Sequence, residues 1–327
     1  MERAIRLAAE EWNAKGGIHG KPVEIVARDG SCDRGRARMA VEELVLQWRI
    51  PYVIGGLCDE EAAGAAEGAG EKAVIIAPAS PNAALAKKDD NVFLLASPQG
   101  GEMPVLARYL VRTLKKPNVI LLFEDSELSR FSADAFEKSM TDAGGSIKAK
   151  ASFYPRSVEP KDAAATVSAN DGDVLFLLSE IPAYTERLIA AVKQKYPNVS
   201  IFVPASTLEH ALDLPSFEGV EAVRPAVDAE AKSLRDFESR YESRYGEAAA
   251  YLLGQAAAYD ALNLFLKAID AKGYGNPEKV RDAIAATKQY NGASGQITLD
   301  AFGNIEHPYE IIRWHSGALE TVETIAL

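Results

Sequence analysis

Residues 12–32, Trp12-Asn-Ala-Lys-Gly-Gly-Ile-His-Gly-Lys-Pro-Val-Glu-Ile-Val-Ala-Arg-Asp-Gly-Ser-Cys32, decide how the chain is read. Just ahead of and into this stretch, Ile5, Ala8, Ala9 and Trp12 recur every three or four residues, the spacing of one apolar helix face, so Ala4 to Ala14 reads as a helix. Gly16 and Gly17 end it, because a glycine past the last helical residue takes the left-handed conformation without a Cβ penalty. Gly20, Lys21 and Pro22 turn the chain, and Val23 to Asp29 alternates apolar and polar as a sheet strand does. The first unit is therefore helix, glycine stop, turn and strand.

The same rhythm runs outward from it. Helices are expected at Arg34 to Trp48 and Glu60 to Lys72, and strands at Pro51 to Gly56, Ala73 to Ala77 and Val92 to Leu95. Strands alternating with helices argue for a parallel, doubly wound sheet. Pro98 to Gly101 reads as a crossover into a second lobe with strands at Asn118 to Phe123, Ser146 to Ser152, Val174 to Leu178 and Val199 to Val203. Helices are expected there at Glu102 to Leu114, Arg130 to Ala143, Asp162 to Ser168 and Ala183 to Tyr196. Gly219 to Ala226 reads as the return crossover, after which Ala231 to Tyr245, Leu252 to Ala271 and Pro277 to Thr287 are helices of the first lobe. The closing strands, Gln296 to Leu299 and Tyr309 to Trp314, are joined by a turn at Ala301-Phe-Gly-Asn304. The fold class is thus α/β, with residues 1–98 and 227–301 in lobe one and 99–226 and 302–327 in lobe two. Three crossovers make a hinge.

At 327 residues and 47% apolar the chain has enough for two ordinary cores. No run of eighteen apolar residues spans a membrane. With 36 basic against 47 acidic residues, a net charge of -11 argues against nucleic acid, which needs a basic surface. Four scattered histidines and two cysteines, Cys32 and Cys58, give no metal-ligand spacing. Gly-x-Ser-x-Gly, phosphate-loop and His-Glu-x-x-His patterns are absent, so neither an enzyme nor a cofactor is expected. Glu124-Asp125 is an acidic pair, but adjacent residues rarely converge on one substrate. Cys32 and Cys58 each follow a predicted strand and are either buried thiols or bridged.

Asn13-Ala-Lys-Gly-Gly-Ile-His-Gly20, the strand ending in Asp29 and Cys32-Asp33 resemble the opening of the Leu/Ile/Val-binding protein family, the periplasmic solute-binding proteins of ABC importers. The resemblance continues in Tyr52 to Cys58, Ile76 to Ser80, Gly254 to Asp270 and Gly295 to Gly303, nearly the whole chain in order. It implies a type I periplasmic binding protein fold, a small-molecule ligand, a membrane permease as partner, a monomer, and a periplasmic or other extracytoplasmic location. It also implies a Cys32–Cys58 disulfide, which belongs to an oxidising compartment. Members of that family open with a β-strand and a ligand-contacting loop ahead of this helix. Here Met1 leads directly into a charged helix, with neither that strand nor a signal-peptide pattern. In a sheet order of about 2-1-3-4-5 the missing strand is an inner one, and its loss leaves costly unpaired edges unless something fills them.

Ligands of open α/β sheets bind beyond the carboxyl ends of the strands. That rule selects Asp59 in the Gly56 to Glu61 loop and Ala79, Ser80 and Asn82 in the next. In the second lobe it selects Ser129, Arg130, Glu180, Tyr184 and Ser206. The resemblance implies a carboxylate-binding serine where this chain has Asp59, and a threonine where it has Pro81. Asp59 is equally a helix N-cap for Glu60 onward. Glu180 stands where a tyrosine is implied, and Ala205 or Ser206 where an ammonium-binding glutamate is. Asp59 and Glu180 together favour a cationic or multiply hydrogen-bonding ligand; Arg130 offers a cation to an acidic one, and Tyr184 a stacking face. The expected function is a solute receptor of an ABC importer that does not bind a standard branched-chain amino acid. A sensory protein of the same fold is the alternative, and a ligand-free domain the third reading.

Overall fold

The computed structural model of the chain describes residues 1–155, 157–165, 172–179, 181–210, 214–226 and 231–325, with residue 83 described in its backbone alone. They fall into two compact units, Met1–Gln99 with Val227–His307 and Gly100–Ala226 with Pro308–Leu327. The first unit opens with α1 (Glu2–Ala14), closed as expected: Gly16 and Gly17 have φ of +99° and +69°. A Cβ on Gly17 would lie 2.0 Å from the Lys21 carbonyl oxygen, so the turn back admits glycine alone. After it come α2 (Arg34–Leu46), β1 (Tyr52–Ile54), α3 (Asp59–Ala69), β2 (Val74–Ala77) and β3 (Val92–Leu94). The three strands form a parallel sheet in the order β1-β2-β3.

Val23 to Asp29 departs from expectation. The Asn13 side-chain amide clamps its first residue, accepting from Val23 N at 2.7 Å and donating to Val23 O at 2.9 Å. Val23 and Ile25 then pack against the helices, as the alternation requires. Yet the segment enters no ladder among the described residues, because a strand is completed by a neighbour's hydrogen bonds and no neighbour lies alongside.

The second unit contains α4 (Glu102–Arg108), continued by a π-turn to Thr113, then β4 (Asn118–Glu124), α5 (Glu127–Ala143), β5 (Ser146–Phe153), α6 (Pro160–Ala164), β6 (Val174–Leu178), α7 (Pro182–Lys195), β7 (Ser200–Phe202), α8 (Ala205–Glu209) and β8 (Glu221–Pro225). The end of the helix expected at Asp162 to Ser168 lies outside the described residues. The expected return crossover is itself a strand: β8 pairs parallel with β7. The chain returns to the first unit with α9 (Lys232–Tyr245), α10 (Leu252–Lys272), α11 (Pro277–Ala285), β9 (Tyr290–Gly292), β10 (Gly295–Leu299) and β11 (Ile305–Glu306), and ends in the second with β12 (Tyr309–His315) and β13 (Ala318–Ile325). The turn at Ala301 to Asn304 joins β10 to β11, not to β12. Leu299 pairs with Ile305, which is buried in the first unit's core, so residues 302–307 sit in that unit and not in lobe two.

The second unit's sheet runs β13-β12-β8-β7-β6-β4-β5, parallel from β8 to β5 with an antiparallel edge. Period-two alternation divides β4 between two layers: Val119, Leu121 and Phe123 meet α4 and α5, while Ile120 and Leu122 meet α7. Residues buried on both faces make its strands near-continuous apolar runs. In the first unit Val74 and Ile76 of β2 pack on α10 and α11, whereas Ile75 and Val53 face α2 and α3. Strand carboxyl ends and helix N-termini thereby converge on one edge of each sheet.

Candidate ligand-binding site

In the first unit the candidate residues stand on the loops after β1 and β2. Cys58, not Asp59, is the N-cap of α3; Asp59 is its first residue, followed by Glu60 and Glu61 in a first turn that suits acids. The Asp59 carboxylate points instead across to the neighbouring loop, where its Oδ1 accepts from the buried Ser80 Oγ at 2.5 Å. Asn82 caps the following short helical turn, accepting from Ala84 N at 3.1 Å. Ala79, half-buried, precedes Ser80 in the same loop.

Cys32 and Cys58 are joined, with Cα atoms 5.6 Å apart, so the bridge ties the residue before the α2 N-cap to the N-cap of α3. Glu61 lies beside the two sulfurs. Bonded to each other, these offer no thiolate to a metal, and Glu61 Oε2 accepts from Leu57 N at 2.8 Å.

In the second unit, Ser126 caps α5 by accepting from Ser129 N at 3.1 Å, which draws Ser129 into a buried position on the first turn. Arg130, next along, pairs with Asp125 on the surface. At the neighbouring strand end Ser179 is fully buried: its Oγ lies 3.3 Å from Glu124 Oε2, and its carbonyl accepts from Thr207 Oγ1 at 2.6 Å. This polar pin joins the carboxyl ends of β4 and β6 to α8. Ser206 is exposed, and its carbonyl lies 2.6 Å from His210 Nδ1.

Tyr184 offers no stacking face. Its ring stacks inside the unit on Phe153, with centroids 5.2 Å apart and planes 8° from parallel, and its hydroxyl donates to the Val158 carbonyl. Burial pushes its pKa up, which keeps the hydroxyl a donor. Glu180 lies outside the described residues.

The sequence reading missed a set of apolar side chains. Leu128, Phe131, Tyr154 and Ile181, all on segments that follow β4, β5 or β6, are exposed. Their signal was positional: large apolar residues outside the periodic core pattern, beside the strand ends where ligands bind.

Residues 1–318 match the family model described as periplasmic binding protein. A leucine-, isoleucine-, valine-, threonine- and alanine-binding protein of Pseudomonas aeruginosa is 23% identical over 334 residues, covering 98% of this chain and 87% of that one. A Leu/Ile/Val-binding protein of Citrobacter freundii is 30% identical over 144 residues, 41% of this chain and 38% of that one. Among solved structures, a branched-chain amino acid ABC transporter protein of Rhodospirillum rubrum superposes with a TM-score of 0.78 at 21% identity, covering 98% of this chain and 94% of its own. A solute-binding protein of R. palustris in complex with benzoate superposes at 0.63 with 16% identity, covering 99% and 90%. At such identities the structures establish the fold.

Proposed function

Because the chain belongs to the periplasmic binding protein family, we propose that it is the extracytoplasmic receptor of an ABC importer and takes a small organic ligand other than a standard branched-chain amino acid. The candidate ligand contacts are strand-end residues: Asp59, Ala79, Ser80 and Asn82 in the first unit and Arg130 and Ser206 in the second. The permease is the partner. The observation that carries the ligand reading is Asp59: its carboxylate stands in the first turn of α3, already hydrogen-bonded by Ser80 Oγ. The positive end of a helix attracts anions. A resident carboxylate there repels a ligand's own carboxylate and favours an amine or amide.

Two further features support this. Arg130 is engaged by Asp125, leaving its charge partly neutralised. Leu128, Phe131, Tyr154 and Ile181 give the second unit an apolar rim, suited to a ligand with a hydrocarbon or aromatic body. The test is a thermal-shift screen across amino acids, amides, polyamines and aromatic acids, followed by calorimetry. A ligand that binds only the folded form at a hundred times its Kd adds about 2.7 kcal/mol of stability. Amines or amides should raise the Tm; tight leucine or valine binding would refute the ligand assignment.

A further inference from the structure

Cys32, Cys58 and Glu61 each bring one ligand atom to a place where all three lie within 4.8 Å of one another. Cys32 stands just ahead of Asp33, the N-cap of α2, and Cys58 is itself the N-cap of α3. The positive ends of these two helices suit negatively charged sulfur. Cys32 is exposed and the other two are half-buried, which leaves the group open to a reductant and to an ion from solvent. No metal-ligand spacing showed in the sequence because one member is a glutamate and the two cysteines are 26 residues apart.

The carboxylate is held where it is by its surroundings. Glu61 is the third residue of α3, and its Oε2 reaches back to accept from Leu57 N at 2.8 Å, a contact of the capping-box kind. That contact accounts for one oxygen. Oε1 accepts no hydrogen bond and meets no lysine or arginine among the described residues. A Cβ added at Gly30 would lie 2.3 Å from Oε1, and one at Gly56 would lie 2.6 Å from the Glu61 Cβ, so both cysteine-bearing loops make room for this side chain through glycine. While the sulfurs are bonded to each other they offer Oε1 no donor. As thiolates they would share a cation with it.

We propose that, once the Cys32–Cys58 bond is reduced, the two thiolates and Glu61 form a zinc site, so that the same two loops are tied by a disulfide in one redox state and by a metal ion in the other. The reductant is a dithiol. Its two thiols become a disulfide while the Cys32–Cys58 bond takes up their two electrons and two protons, and zinc then displaces both protons as the two Zn–S bonds form. Two thiolates and a carboxylate give three protein ligands and leave the fourth tetrahedral position to water, and thiolate sulfur selects zinc over magnesium or calcium. At about 2.3 Å from a tetrahedral zinc, two sulfurs stand about 3.8 Å apart. Rotation about χ1 and χ2 provides that span while the Cα atoms keep their 5.6 Å separation. The Leu57 N–H already orients the Glu61 carboxylate, the part an outer hydrogen bond plays for a metal-bound carboxylate.

The test titrates zinc, and cobalt as its spectroscopic stand-in, into the chain in two states: oxidised, and reduced with a phosphine that leaves no competing thiol. The reduced chain should take up a single equivalent of cobalt with a thiolate-to-metal charge-transfer band and tetrahedral d–d bands; zinc should displace the cobalt and raise the Tm. The oxidised chain should show none of this. Glu61→Gln, which keeps an acceptor for Leu57 N, should weaken zinc binding by the reduced chain at least about tenfold, and the double variant Cys32→Ser, Cys58→Ser should lose the charge-transfer band. If the reduced chain unfolds, circular dichroism should show zinc refolding it, and failure to refold overturns the proposal. Equal zinc binding by the oxidised chain also overturns it, because surface acids would then be the ligands. So does unchanged affinity in Glu61→Gln, which would mean two thiolates without the third ligand. A Tm lowered by zinc in the reduced chain counts equally against it, since the metal would then sit on the unfolded form. None of these readouts involves an organic ligand, so they stand apart from the receptor assignment.

Discussion

Replacing Gly64 by alanine sets two effects of known sign against each other. Gly64 and Gly68 lie on the face of α3 that meets α2: a Cβ at Gly64 would stand 2.1 Å from the Arg34 carbonyl oxygen and 3.0 Å from Ala37 Cβ, and one at Gly68 would stand 2.5 Å from the Arg38 carbonyl oxygen. Alanine in a helix interior is favoured over glycine by about 1 kcal/mol. Against that, non-bonded heavy atoms settle at about 3.5–4.0 Å, so the helices must part by more than 1 Å. Over-packing of a core costs about 1–3 kcal/mol when side chains can yield. Here the obstacle is backbone, and parting the helices also loosens Val41, Ala65 and Ala69. Gly64→Ala is therefore expected to lose about 1–2 kcal/mol net, a Tm drop of roughly 2–8 °C for a unit of this size. Gly35→Ala is the control, since its Cβ meets nothing nearer than Asp33 Oδ1 at 3.4 Å; there the propensity gain should show as equal or higher stability. Differential scanning calorimetry of both variants decides it. If Gly64→Ala is as stable as the parent while Gly35→Ala gains, the close approach of α2 and α3 is not limited by backbone contact and the reasoning fails.

Replacing Cys32 and Cys58 by alanine opens a loop of sequence separation 26, for which chain entropy gives a loss of about 3.5 kcal/mol; urea unfolding of the oxidised parent and the double variant measures it. Asp260→Asn should cost about 3 kcal/mol, because the buried carboxylate accepts from Ala293 N, Ser294 N and Ser294 Oγ and an amide leaves at least one of these donors unmatched; an unchanged urea midpoint would contradict this. Asp59→Ser should weaken the helix-end interaction by about 0.3–1 kcal/mol and improve binding of carboxylate-bearing amino acids in calorimetry, and no gain for any of them would count against the ligand reading. Burial lowers the pKa of His307 below its ordinary 6.5, so its folded form favours the neutral ring. That contribution is complete above pH 6.5 and is lost as the pH falls through the folded value. A smaller drop in unfolding midpoint between pH 8 and 5 for His307→Gln than for the parent checks the sign.

Most elements were legible because their signals are local. The Gly16-Gly17 stop, the apolar faces of α1 and α10, and the apolar runs of β4 and β6 depend on residues within a few positions of one another. Where the reading failed, a distant partner decided. Val23 to Asp29 has the alternation of a strand and, among the described residues, no neighbour to pair with. β8 looked like a connector until β7 and β12 flanked it. β11 was unseen because two residues carry no periodicity, and β10 supplies its register. In the site, Asp59 was found by its place after a strand, but its partner Ser80 is 21 residues away, and Tyr184 was misjudged because Phe153, against which it packs, is 31 positions off by number.

By itself the sequence determined the α/β class, the alternation of strands with helices, and which loops stand at strand ends, since propensity, period and turn chemistry act between near neighbours. Tertiary structure alone decided which carboxylate is hydrogen-bonded, which aromatic ring is buried, and that the expected return crossover is the strand β8. Each of those depends on a hydrogen bond or a packing contact between residues far apart in the chain, and only folding brings such residues together.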